Sequence, residues 1–170
     1  MPLIPPAAKI PLPIQEVLRD FFVDLLGKGA AAAKAKEIKI KQGADAPKLM
    51  VSVWKDKYDR VGALCIAELY FAAVAGAALV LAPATILPEV ERTQEIPENL
   101  LENYQEVVNI LTGQLNTPST PHLKLVHTYE HPTVELPKEV WDVIERPSSR
   151  RDFDVTVEGY GGGKISILTR

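Results

Sequence analysis

The run from Val61 to Ala84 carries a single charged residue, Glu68, in 24 positions. That is long enough to cross a bilayer, which takes about 20 apolar residues. A chain with such a run must either place it in lipid or divide it between buried elements of a globular core. Two features favour division. Glu68 would cost ~2.5–3.5 kcal/mol near a membrane centre, and alanine and glycine supply much of the run in place of leucine and isoleucine. The branched and small residues of Val61–Ala67 predict a buried strand. From Glu68 onward, Leu69, Phe71, Ala72, Ala75, Ala78, Leu79 and Leu81 predict a helix that Pro83 ends.

The remaining sequence supports a globular reading. Hydrophobic residues make up 46% of the 170 and charged residues 24%, which excludes a disordered chain. A chain of this length buries roughly two-thirds of its unfolded surface as one domain, here expected over residues 1–170. A net charge of −3 with mixed signs gives no basic field for a nucleic-acid backbone. Cys65 is the sole cysteine and lies in the apolar run, so it reads as a small buried hydrophobe in a reducing, cytoplasmic compartment. Residues 1–13 are proline-rich with one charge, Lys9, and lack the apolar core of a secretory signal. They are expected to remain as an N-terminal extension.

Local patterns fill in the order of elements. Ile14, Val17, Leu18, Phe21, Phe22, Leu25 and Leu26 have helical spacing, with Pro13 to open the helix and Gly27 or Gly29 to close it. Lys36–Lys41 alternates charged residues with Ile38 and Ile40. A turn at Gly43, Asp45 and Pro47 then leads to Leu49–Trp54, which predicts a hairpin. Residues 86–95 carry no readable pattern. Pro97 can open a helix over Glu98–Leu115, His122–Glu130 predicts a strand, and Leu136–Ile144 a short helix. Asp152–Glu158 and Ile165–Leu168 flank glycines as a second hairpin. Helices and hairpins in irregular alternation define an α+β domain.

The helix over Glu98–Leu115 carries the chemistry. At about 100° per residue, Leu100, Tyr104, Val107, Val108, Leu111 and Leu115 share an arc of roughly 100° that must be buried. Glu102, Glu106, Asn109 and Gly113 stand opposite in one row. Acids and amides are also what any solvated helix face displays, and acids near the N-terminus suit the helix dipole.

The segment Glu106-Val107-Val108-Asn109-Ile110-Leu111-Thr112-Gly113 resembles the E-x-x-N-x-x-x-G segment of the CheC/CheX class of phosphatases. In that class a proline follows the asparagine after some twenty-odd residues, and here 22 residues separate Asn109 from Pro132. The position four before the glutamate is usually Asp or Ser in that class and is Glu102 here. One copy of the motif resembles the single-site CheX type. The resemblance implies a CheC/CheX-like fold, with an antiparallel-rich sheet packed against long helices, and a homodimer. It further implies a phosphatase for the aspartyl phosphate of a CheY-like response-regulator receiver. In that role Asn109 orients the attacking water and Glu106 pairs with the receiver's lysine. Glu102, Gly113 and Pro132 meet the partner, and the chain binds no cofactor because Mg²⁺ comes with the receiver. The alternative is a non-catalytic adaptor that keeps the fold and receiver binding.

Other signals are weaker. His127 and His131 would face one side of a strand and His122 the other, which suits no zinc site. Gly159–Lys164 lacks the first glycine, the hydroxyl residue and the following helix of a phosphate loop. Ser52, Ser119 and Ser148 lack a nucleophile elbow. Arg146, Arg150 and Arg151 read as a solvated loop.

Overall fold

In the computed structural model, which describes residues 3–27 and 29–170, the long apolar run divides between a strand and a helix. The strand β3, Val61–Glu68, is buried along all but its last residue. The helix α2, Leu69–Leu79, is buried on nearly every side. Among the described residues no helix is long and apolar enough to cross a membrane.

The elements in chain order are α1 (Gln15–Leu26), β1 (Ala30–Lys34), β2 (Leu49–Lys55), β3, α2, a 3-10 turn (Ala84–Ile86) and α3 (Leu87–Thr93). They continue with α4 (Glu98–Leu115), β4 (Lys124–His131), α5 (Lys138–Glu145), β5 (Ser149–Val157) and β6 (Gly161–Thr169). The six strands form one sheet in the order β1-β5-β6-β3-β2-β4. Every pairing is antiparallel. This is the α+β, antiparallel-rich architecture expected from the sequence.

Strand alternation builds two cores, one on each face. Met50, Trp54, Ala63, Cys65 and Ala67 point into the larger core with Phe22, Phe71, Tyr104 and Phe153, under α1, α2 and α4. Leu49, Val51, Val53, Leu64, Ile66 and Leu168 point the other way, under Val140 and Val143 of α5. The central strands β2 and β3 are therefore apolar on both faces. Small residues on the α2 side of β3 let that helix sit close to the sheet. A side chain at Gly76 would run into the carbonyl oxygen of Leu100, so α2 and α4 cross in backbone contact.

One expectation is corrected, and two elements appear where the sequence offered no reading. Lys36–Lys41 is not a strand paired with β2, because β3 and β4 occupy both edges of β2. Its Ile38 and Ile40 nevertheless pack against the smaller core. The first strand is instead Ala30–Lys34, an alanine tract with no strand signature, held by pairing to β5. Residues 86–95, unreadable in sequence, contain α3, whose Leu87 and Val90 are buried.

The proline-rich extension joins the body at Ile10 and Leu12, both buried. Ile10 and Leu123 meet over Gly62, where a Cβ would strike both side chains. Arg60 Nη1 donates to the Pro5 carbonyl at 2.6 Å and Arg170 Nη2 to the Ala8 carbonyl at 3.1 Å. Both guanidiniums are set by Asp56 in the β2–β3 turn, 2.8 Å from Arg60 Nε and 3.5 Å from Arg170 Nη1.

Candidate functional site

The helix α4 begins after Pro97, whose carbonyl accepts from the Leu101 amide at 3.0 Å. Its buried residues are Leu100, Tyr104, Val107, Val108, Leu111 and Leu115, the arc expected from the spacing. Four tertiary contacts fix its roll about its own axis. Asn103 Nδ2 donates to the Gly76 carbonyl at 3.1 Å. Trp54 Nε1, fully buried on β2, donates to Thr112 Oγ1 at 2.8 Å. Asn116 and Leu123 exchange two bonds at 2.7 and 2.8 Å, which ties the end of α4 to the approach to β4. The Tyr104 hydroxyl lies 4.0 Å from Cys65 Sγ. Burial pushes that thiol up to about 12, only partly offset by the tyrosine. Burial likewise raises the Tyr104 hydroxyl well above its ordinary value. Both are inert structural groups at neutral pH.

With the roll fixed, Glu102, Glu106, Asn109 and Gly113 all stand in solvent. Among the described residues, the carboxylates of Glu102 and Glu106 and the amide of Asn109 have no hydrogen-bond or ion-pair partner. The whole of α4 lacks lysine and arginine while carrying three glutamates, with Glu98 the third. The row is therefore acidic and uncompensated, with one neutral amide in it. A Cβ built at Gly113 meets nothing within 4 Å. Unlike Gly76, Gly113 has no steric reason within the chain for being glycine.

Sequence reasoning overlooked Ile110, which is 40% exposed and sits one turn after Glu106 at the edge of the row. An isoleucine outside the buried arc was the available signal. Pro132 lies elsewhere, in the turn beyond β4, where it lines a cavity of about 290 Å³ with His131, Leu136 and Trp141. Leu136 and Trp141 belong to the α5 side of the sheet. The same side holds His131, whose Nε2 lies 2.7 Å from the Lys41 carbonyl. His127 packs edge-on against Tyr129. No cluster of three or more acidic, histidine or cysteine side chains able to hold a metal occurs among the described residues.

Neither a family profile nor any curated protein sequence matches the chain. Solved structures similar to it include CheX in a CheX–CheY–BeF₃–Mg²⁺ complex from Borrelia burgdorferi, at 13% identity and TM-score 0.48 over 91% of each chain. The FliM middle domain of H. pylori is similar at 9% identity and TM-score 0.46, covering 91% of this chain and 83% of that one. Thermotoga maritima FliY is similar at 13% identity and TM-score 0.44, covering 89% and 81%. A likeness of this strength assigns no activity, which has to be argued from the row itself.

Proposed function

We propose that the exposed row of α4 docks on a phosphorylated response-regulator receiver and hydrolyses its aspartyl phosphate. The observation that carries this reading is the company Gly113 keeps. A helix-interior glycine costs about 1 kcal/mol relative to alanine and one in a last turn roughly half that, nothing within the chain requires this one, and it stands in line with an unpartnered amide and two unpartnered carboxylates. Such a face suits close approach by another molecule.

The chemistry asks little covalent work of the protein. Water attacks phosphorus as the bond from phosphorus to the aspartyl oxygen breaks, leaving inorganic phosphate and a free carboxylate. The step is governed by placing the water in line and by balancing charge on the phosphoryl oxygens. Asn109 does the first, since an amide both accepts from and donates to water without titrating. A carboxylate in its place would repel the phosphoryl group. The receiver's Mg²⁺ and lysine do the second, and Glu106 pairs with that lysine to seat the helix. Glu102 and Ile110 flank the contact. The homodimer implied by the resemblance and a cytoplasmic location belong to the same reading.

The test follows the lifetime of Mg²⁺-bound phosphorylated receivers with catalytic amounts of the native chain or its Asn109→Ala variant. Acceleration by the native chain, reduced on the order of 100-fold in the variant, is expected, because lost positioning of a reactant costs that much. Receiver binding without acceleration by either chain would replace this reading with that of a non-catalytic adaptor.

A further inference from the structure

The segment between β1 and β2 has the sequence pattern of a strand and no strand partner. It crosses the sheet face opposite to α4, with Ile38 and Ile40 half-buried against the smaller core. The Ala35 amide still bonds to the Asp152 carbonyl at 3.0 Å. From Lys36 to Gln42, no amide donates to any described residue. Two carbonyls are held by side chains: Arg150 Nη2 reaches Ile38 O at 3.0 Å, and His131 Nε2 lies 2.7 Å from Lys41 O. These contacts anchor the segment while leaving its main-chain donors open.

Two further observations sit on the same segment. Lys34, Lys36, Lys39 and Lys41 are all exposed, and none forms an ion pair with a described residue. Against them stands Glu37, 3.9 Å from Arg150 Nε, so the edge remains basic. Between the segment and α5 runs a groove of about 420 Å³ whose lining combines apolar Ile38, Ile40, Trp141, Ile144 and Pro147 with Glu37, Lys39, Gln42, Glu145 and Arg150.

We propose that Lys36–Gln42 is a docking strand for an extended acidic polypeptide. A run of unpaired main-chain amides is a template for strand addition. Lys39 and Lys41, two residues apart, select carboxylates at alternate positions of the incoming chain, Lys36 adds positive charge at the start of the segment, and the groove takes an apolar side chain from between the carboxylates. An anionic membrane would satisfy the lysines but leave the amides without acceptors in register. The site is independent of the α4 row.

A fluorescein-labelled peptide of alternating glutamate and valine serves as the probe, read by anisotropy with the full chain. Three arms accompany it: the same peptide N-methylated at alternate residues, the Lys36→Glu/Lys39→Glu/Lys41→Glu variant, and phosphatidylglycerol vesicles. Saturable binding is expected, weakened at least tenfold by N-methylation and at least tenfold by the charge reversal. Amide exchange across residues 36–42 should slow at least tenfold at saturation. Three results would overturn the proposal: no binding of the plain peptide, equal binding of its N-methylated form, or attachment to vesicles alone.

Discussion

Gly113 separates stability from function in a single substitution. Replacing a helix-interior glycine by alanine stabilises by about 1 kcal/mol. Gly113 lies in the last turn of α4, where fraying reduces the gain to roughly half, and glutamine is a few tenths less favourable than alanine. With nothing within 4 Å of the new Cβ, no clash opposes the gain. Gly113→Gln should therefore raise stability by ~0.3–0.5 kcal/mol. For a domain of this size that is a rise of about 1–2 °C in Tm, measurable by calorimetry. The longer side chain stands in the row between Glu106 and the end of the helix, and receiver dephosphorylation should fall at least tenfold. Loss of activity in a protein that melts higher cannot be blamed on unfolding. Gly76→Ala is the control of opposite sign: its Cβ meets the Leu100 carbonyl, α2 and α4 must separate, and ~1–3 kcal/mol of stability should be lost. The reasoning is refuted if Gly113→Gln lowers Tm by several degrees, since the glycine then serves the fold. It is equally refuted if Tm rises and dephosphorylation is unchanged.

Two further outcomes follow from the same contacts. Burial alone would raise the Asp56 carboxyl, but bonds from the Arg60 amide and guanidinium and the Tyr58 amide outweigh it and hold it below the usual carboxylate value. Its stabilisation is thus complete above an ordinary aspartate pKa of about 3.9 and fades as pH falls through the lower folded value. Asp56→Asn should cost ~1–3 kcal/mol at pH 7 in urea unfolding, and its stability should vary less than the native chain's below about pH 4. Trp54→Phe keeps an aromatic ring in the core but deletes the donor to Thr112. Stability should fall by ~1–3 kcal/mol, and the turnover of phosphorylated receiver should drop with little change in receiver affinity.

What the sequence revealed depended on how local the cause was. The buried arc of α4 and the split of Val61–Ala84 follow from periodicity and composition, and both are as expected. Ala30–Lys34 is a strand only because β5 offers an edge, and an alanine tract gives no local hint of that. Lys36–Lys41 failed in the opposite sense, with a strand pattern but no edge left to join. The two helix glycines show the same limit. Gly76 and Gly113 look equivalent in sequence, and only the crossing of α2 and α4 tells that one is steric and the other is not. The pairing of Trp54 with Thr112 spans 58 residues, beyond any spacing rule.

Those long-range contacts also decide how the exposed row of α4 is presented to solvent. The side-chain ends of a helix lie about 5–6 Å from its axis, so a roll of 10° carries Asn109 through ~1 Å. Misplacement of that size can cost on the order of 100-fold in a reaction governed by positioning. Hydrophobic burial alone does not hold a helix so closely, because an apolar arc roughly 100° wide can slide over an apolar surface with little change in area. Directional bonds do. Asn103 and Thr112 lie on either side of the row and are bonded to α2 and β2, and Asn116 ties the end of the helix to Leu123. The alanine-rich, almost wholly buried α2 lets the Asn103 bond form, since only a helix at backbone distance brings the Gly76 carbonyl within its reach. Every polar contact that fixes α4 is thus made by residues outside the row, and Glu106 and Asn109 are left free to meet a partner.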